Sequence, residues 1–223
     1  SRPIKAEEVT ACRAGGIRYA ELQVANDGIA VVTNPDLKVD CLTTAQLKDL
    51  WNTGSNVRTL RELDPRLPDT ELSLFGPGTD SGTFDFFTDE LNGEEGATRK
   101  DYQPSEDDNV LVQGVSGDQG GLGYFGFSYY EQNQDKLNLV GVDGGAGCVK
   151  PSRQTIQAGS YKPLSRPLFM YVSDKSLTKP QVKAFLEFVV ANGRTIAENA
   201  QIVPLTPAQR AQAKQALSRL APA

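Results

Sequence analysis

The sequence predicts an α/β protein with largely parallel sheets, because segments of strand and helical periodicity alternate along its 223 residues. Two continuous apolar strands, residues 29–33 and 168–172, lie beside prolines and are typical of strands buried on both faces. If the chain crosses between lobes near both, residues 1–34 and 167–223 form one lobe and residues 35–166 the other. Such two-lobed clamps bind ligands in the cleft between the lobes.

The other elements follow from capping residues and periodicity. Helices are predicted where apolar residues recur every three to four positions, at residues 5–14, 43–53, 81–92, 105–115, 128–136, 152–157, 180–191 and 206–220. The helix at 180–191 is expected to be capped by Thr178 and ended by Gly193. Further strands are predicted at residues 17–24, 72–75, 120–127 and 137–142. Asn26-Asp27-Gly28 predicts a turn between two strands.

A glycine-rich segment, GPGTDSGT at residues 76–83, joins a predicted strand to a predicted helix. The first amides of a helix have no partner within the helix and carry the positive end of its dipole. Small residues let an anion approach these amides, and hydroxyl groups add donors. The segment therefore suits a tetrahedral oxyanion such as phosphate. The alternative is a plain helix cap made by Asp80 or Ser81.

Composition argues against several classes of function. The net charge of −5, without basic runs, argues against nucleic acid and anionic membranes as partners. No apolar run approaches the ~18 residues of a membrane helix. Histidine is absent, which removes histidine metal sites and Ser-His-Asp catalysis. The three cysteines are wrongly spaced for a zinc cluster, so we expect neither a metal nor a cofactor, and leave open whether the thiols are free.

Five segments together resemble the phosphate-binding proteins of bacterial ABC phosphate-uptake systems. They are SRPI at residues 1–4, GPGTDSGTFD at 76–85, SEDDNVLVQGV at 105–115, GLGYFG at 121–126 and PLSRPLF at 163–169. They occur in the family's order, and the similarity as a whole extends over nearly the entire chain. The resemblance implies a type 2 periplasmic-binding-protein fold, in which two α/β lobes are joined by two hinge crossings.

The resemblance also implies a function without chemistry. Inorganic phosphate would be captured with high affinity outside the cytoplasmic membrane and delivered by hinge closure to the membrane subunits of an ABC permease. A front part of about 60–80 residues, with a strand and a phosphate-gripping loop, has no counterpart here. The first lobe would then be incomplete, and a lipid anchor would belong to that part. The alternatives are a binder of sulfate or molybdate, a phosphatase using Ser81 or Asp80, and a ligand-free regulatory or structural descendant.

The family's phosphate ligands are carried over residue by residue. Its serine, glycine and threonine correspond to Ser81, Gly82 and Thr83. Well-studied members have an arginine where this chain has Pro77, and we expect Arg2 to replace it, because a guanidinium fork matches phosphate geometry. Many members place an aspartate near the position of Ser1, where it accepts a proton from hydrogen phosphate. We expect Ser1 to contact phosphate from that position. Asp80 is the candidate for the role of the acid here; the alternatives are that the acid lies in the front part without a counterpart in this sequence, and that Asp80 is a simple helix cap.

The resemblance further implies a disulfide between Cys41 and Cys148, which both fall in the predicted second lobe. Cys12 would then have no partner in this chain. Related chains carry a cysteine just upstream of the Ser-Arg segment, and that cysteine is not in this sequence. The odd number of cysteines is therefore what a shortened member of the family would have.

Overall fold

The chain folds as two units in the computed structural model, which describes residues 3–220. One unit contains the chain up to Asp27 together with the chain from Arg166 onward, and the other is Gly28–Ser165. The lobe boundaries expected near residues 34 and 167 stay predictions.

Helices and strands alternate along the described residues. The α-helices are α1 (Ala6–Ala14), α2 (Thr44–Trp51), α3 (Gly82–Asn92), α4 (Asp108–Gly117), α5 (Phe127–Gln132), α6 (Arg153–Gln157), α7 (Asp174–Leu177), α8 (Pro180–Asn199) and α9 (Pro207–Leu220). The strands are β1 (Tyr19–Thr33), β2 (Cys41–Thr43), β3 (Ser73–Pro77), β4 (Gln103–Ser105), β5 (Gly121–Gly126), β6 (Asn138–Asp143), β7 (Cys148–Val149) and β8 (Ser165–Ser173). A 3₁₀ turn occupies Leu60–Glu62.

The sheet of the Gly28–Ser165 unit is mixed, so the prediction of largely parallel sheets is wrong there. Its strand order is β2-β6-β1-β5-β3-β4, with β7 paired to β6. The pairs β2–β6, β3–β5 and β3–β4 are parallel, whereas β1 is antiparallel to both β5 and β6. The strands joined by helical crossovers share one direction, and β1 enters the sheet between them against that direction.

Close backbone approach shapes the core of this unit. Phe75 of β3 packs with apolar residues of α4 and β5 in one buried cluster. A side chain at Gly114 of α4 would overlap the Phe75 ring, so glycine lets the helix lie directly on the sheet. Elsewhere in the unit the rings of Phe87 and Tyr124 stack at 3.6 Å, and Trp51 meets Tyr124 edge to face. Trp51 is fully buried and is one of the largest side chains in this core.

In the other unit, β8 pairs with β1. Residues of β1, β8 and the helices α7, α8 and α9 form its apolar cluster, with buried members Ala20, Leu22, Val172, Leu177, Leu186 and Leu220. Helix α8 continues through Gly193 to Asn199, so the predicted end at Gly193 is wrong. A glycine costs a helix only about 1 kcal/mol, and Leu186 and Ala197 are buried on either side of it. The N-cap residue of α8 is Lys179, so the predicted cap at Thr178 is wrong. The Thr178 hydroxyl donates a hydrogen bond to Lys175 O instead.

The turn predicted at residues 26–28 is wrong as well, because β1 runs straight through it. Asn26 is buried and exchanges two backbone hydrogen bonds with Val203, at 2.8 and 2.9 Å. Gly28 leaves room for Ile156, which a side chain there would overlap. These residues serve contacts with distant parts of the chain, whereas a hairpin turn would have used them locally.

Candidate anion-binding site

The glycine-rich segment connects β3 to α3, as its sequence predicts. Strand β3 ends at Pro77 and helix α3 begins at Gly82, with Ser81 as the N-cap residue. The Ser81 Oγ accepts a hydrogen bond from Thr83 N at 3.2 Å, and Ser81 O accepts one from Asp85 N at 3.1 Å. The predicted cap is thereby confirmed for Ser81.

Several amides of this turn already have partners within the protein. Ser81 N donates to Gly78 O at 3.2 Å, and Gly78 N donates to Ser105 O at 3.2 Å. Thr83 N is held by the Ser81 hydroxyl oxygen. An anion would therefore share or replace the bond between Thr83 and Ser81, rather than meet a fully open helix end. The Ser81 oxygen acts as acceptor in that bond and keeps its own proton available for donation.

The predicted site residues are only partly described by the structure. Asp80, Ser81, Gly82 and Thr83 are consecutive at the start of α3, and Asp80 is exposed. Ser1 and Arg2 lie outside the described residues. The roles of all six residues in phosphate binding stay predictions.

Two aromatic side chains support the strand end of the turn. A Cβ on Gly76 would lie 3.0 Å from the ring of Tyr124, which is buried beneath it. The Tyr102 hydroxyl donates to Pro77 O at 3.0 Å. Burial raises the pKa of Tyr102 above its usual value, and the nearby Glu106 carboxylate raises it further. Tyr102 therefore keeps the proton that it donates to Pro77 at any physiological pH.

A carboxylate that the sequence does not single out also lies against the turn. Glu106 Oε1 accepts a hydrogen bond from Asp80 N at 3.3 Å and occupies the place that a side chain at Gly78 would take. The sequence predicts that the acidic residues from Ser105 onward start a helix. Helix α4 begins later, at Asp108, and Glu106 faces the turn instead. The one signal for this contact is the glycine at position 78.

The predicted disulfide is present in the structure. Cys41, at the start of β2, is bonded to Cys148, at the start of β7. Both strands pair with β6, so the bond links the two neighbours of one strand. Cys12, in α1, is a free thiol.

Among residues 3–220, no three histidine, cysteine or acidic side chains are arranged to hold a metal ion. In the same residues no helix combines the length and apolar character needed to cross a bilayer.

The mixed sheet with its helical crossovers places the protein in the class with the type 2 periplasmic-binding-protein fold, which solved phosphate-binding proteins share. The family model of the PBP superfamily domain matches residues 1–192, and the chain belongs to this superfamily. A crystal structure from Planctomyces limnophilus, described as a possible phosphate binding protein, matches 99% of this chain and 79% of its own, with a TM-score of 0.92 and 40% identity. The predicted fold is therefore confirmed.

Other relatives carry related names. Protein SphX of Synechococcus elongatus is 45% identical over 92% of this chain and 61% of its own length. The phosphate-binding protein PstS of Staphylococcus saprophyticus is 38% identical over 92% and 63%. A structure from Clostridium perfringens, assigned as a phosphate ABC transporter substrate-binding protein with bound phosphate, is 28% identical over 92% and 77%, with a TM-score of 0.66.

The chain spans 61% and 63% of the lengths of SphX and PstS, so it corresponds to a part of those proteins. The PstS and Clostridium perfringens relatives are named for binding and transport rather than for catalysis, in agreement with the expectation that this protein is not an enzyme.

Proposed function

We propose that the chain is the ligand-binding part of a receptor that captures inorganic phosphate outside the cytoplasmic membrane. The observation that carries the proposal is the Ser81-Gly82-Thr83 sequence, placed at the capped N-terminus of α3 directly after a buried strand. The names of the PstS relative and of the phosphate-bound Clostridium perfringens structure support the same ligand. Delivery would be to the membrane subunits of an ABC phosphate permease.

The chemistry of the turn supports a tetrahedral oxyanion. The N-terminus of α3 carries a partial positive charge of roughly half a unit, which favours an anion at Ser81–Thr83. The hydroxyls of Ser81 and Thr83 add donors for phosphate oxygens. In this proposal Arg2 supplies a fork of donors, and Asp80 or a group near Ser1 accepts the proton of hydrogen phosphate.

Capture would proceed by hinge closure around the anion. The chain passes between its two units at residues 27–28 and again at residues 165–166. The first passage lies within β1 and the second at the start of β8. Two strands that connect two units are the usual construction of a hinge, and we assign them that role.

Calorimetric titration with phosphate, with sulfate as the competitor, tests the proposal. We expect phosphate to bind, and Ser81→Ala to weaken it at least about tenfold, the effect of losing a charge-assisted hydrogen bond. The matched control is Ser152→Ala, because Ser152 caps α6 in the same way through Thr155 N. Its phosphate affinity should equal that of the wild type.

Each other result identifies a different function. Equal affinities for phosphate and sulfate would indicate a general oxyanion binder. The absence of binding for every oxyanion tested would contradict the proposal and favour a ligand-free regulatory or structural descendant. Turnover of a phosphate ester that disappears in Ser81→Ala would indicate a phosphatase.

A further inference from the structure

The Glu106 side chain joins two segments that leave neighbouring strands at the same edge. Strands β3 and β4 are parallel, with Pro77 opposite Ser105. The glycine turn follows β3, and Glu106 follows β4. Its carboxylate reaches across to the turn, where it accepts the Asp80 N–H and lies over Gly78.

Helix capping does not account for this position. The N-cap residue of α4 is Asp107, whose carboxylate accepts from Asn109 N at 2.9 Å. Ser105 Oγ accepts from Asp107 N at 3.0 Å. The start of α4 is thus capped without Glu106, and the carboxylate of Glu106 is directed to the turn instead.

Together with Tyr102, this carboxylate fixes the turn on both sides of Gly78. Tyr102 donates to Pro77 O, just before the glycine, and Glu106 accepts from Asp80 N, just after it. A glycine-rich turn loses more conformational entropy on ordering than other sequences do. Contacts that order it before a ligand arrives reduce the cost of binding.

We propose that Glu106 is a positioning residue for anion binding: its carboxylate oxygen holds the Gly78–Asp80 backbone in the conformation that presents Ser81–Thr83. The effect on affinity rests on the phosphate function proposed above, whereas the ordering of the turn does not. The negative charge of Glu106 itself opposes an anion. The hydrogen bond and the charge therefore act in opposite directions.

Two substitutions separate the hydrogen bond from the charge. Glu106→Gln keeps an oxygen acceptor and removes the charge, whereas Glu106→Ala removes both. Gly78→Ala displaces the carboxylate by a third route, because its methyl group takes the same space and the backbone of Gly78 is outside the left-handed region. Glu95→Ala, which removes an exposed carboxylate elsewhere, is the control.

Amide hydrogen exchange of the ligand-free chain tests the ordering directly. Loss of one hydrogen bond should speed exchange of the Asp80 amide about fivefold in Glu106→Ala. Gly78→Ala should speed it similarly, and the double variant no further. Glu106→Gln and Glu95→Ala should leave it unchanged. Equal exchange in Glu106→Ala and Glu106→Gln would overturn the proposal, whatever phosphate does.

Phosphate titration of the same variants tests the consequence for binding. Glu106→Gln should bind at least as tightly as the wild type, and Glu106→Ala about fivefold more weakly than Glu106→Gln. Equal phosphate affinities of the two variants, with different Asp80 exchange, would overturn the role in anion binding. If the wild-type chain does not bind phosphate, but Asp80 exchange still differs between Glu106→Ala and Glu106→Gln, Glu106 orders the turn and the proposed phosphate function is refuted.

Discussion

Arg99 is the most heavily bonded side chain in the region around α2. Its guanidinium is buried, makes two hydrogen bonds to Asp101 at 2.6 and 2.8 Å, and donates to Leu50 O at 2.9 Å and Val57 O at 3.0 Å. The side chain thereby ties the segment after α3 to the end of α2 and to the loop beyond it. Its charge is compensated, and its loss would leave buried carbonyl groups without donors.

We expect Arg99→Met to lower the free energy of unfolding by about 3 kcal/mol, because it removes a buried guanidinium that donates to two backbone carbonyls and to the Asp101 carboxylate. Urea unfolding measures the change. Arg61→Met is the control, since its ion pair with Asp69 is more than half exposed on both sides and should contribute less than about 1 kcal/mol. Equal losses in the two variants would contradict the assigned role of Arg99.

The same pair predicts a dependence of stability on pH. The hydrogen bond from Arg99 lowers the pKa of Asp101 to about 2, from an ordinary value of 3.8. Because the folded pKa lies below the unfolded one, the stabilisation is present above about pH 4 and is lost as the pH falls toward 2. Solvent reduces its size, since the Asp101 side chain is 67% exposed.

Unfolding of the wild type and of Asp101→Asn between pH 2 and pH 5 checks this expectation. The wild type should lose more stability on acidification, so that the difference between the two narrows toward pH 2. A difference that stays constant over this range would show that ionisation of Asp101 does not contribute to stability.

At the scale of the elements, Gly121 allows β5 to start directly beneath α4. A Cβ there would overlap Val115 O and lie 2.9 Å from Asp118 O, and both are backbone atoms that cannot move aside easily. We expect Gly121→Ala to cost about 2–4 kcal/mol of stability. Gly117→Ala is the control, because a Cβ there meets nothing within 4 Å. Thermal unfolding measures the stability of both variants, and equal melting temperatures of Gly121→Ala and Gly117→Ala would refute the prediction.

Elements with local signals could be predicted from the sequence almost to the residue. Helix α3 has its N-cap at Ser81 and its C-cap at Gly93, which agrees with the predicted helix at residues 81–92, and both signals act within one turn of helix. The continuity of β1 could not be predicted, because what keeps residues 26–28 extended between the two predicted strands is contact with residues far away in the chain. Strands β4 and β7 have three and two residues, too few to show any periodicity.

In the candidate site, too, the parts set by local contacts could be predicted, and the part set by a distant contact could not. The turn and its cap are local and follow from the GTDSGT sequence. The contact of Glu106 with Asp80 joins residues 26 positions apart, and it depends on the pairing of β3 with β4. Because the sequence does not predict β4, the glycine at position 78 does not identify Glu106 as its neighbour.

At the scale of the whole molecule, the Cys41–Cys148 disulfide covalently links two residues that are 107 positions apart in the sequence. Replacing both cysteines by serine should lower stability by about 2–4 kcal/mol, largely because the unfolded chain regains freedom. Cys12→Ser, at the free thiol, is the control and should change little. Urea unfolding with and without a reductant measures the stability of both variants and of the wild type. Stability that is insensitive to reductant in the wild type would contradict the prediction.

The continuous course of β1 has a consequence for how the protein can be cut. The passage from one unit to the other at residues 27–28 lies within a 15-residue strand, and the return passage at residues 165–166 lies at the start of β8. Proteases need several residues of unpaired, adaptable chain. The first passage lies wholly inside β1, and at the second the chain is already extended in β8 from Ser165 onward. Limited proteolysis of the native protein should therefore spare both passages, and the two units should not be recovered as separate fragments.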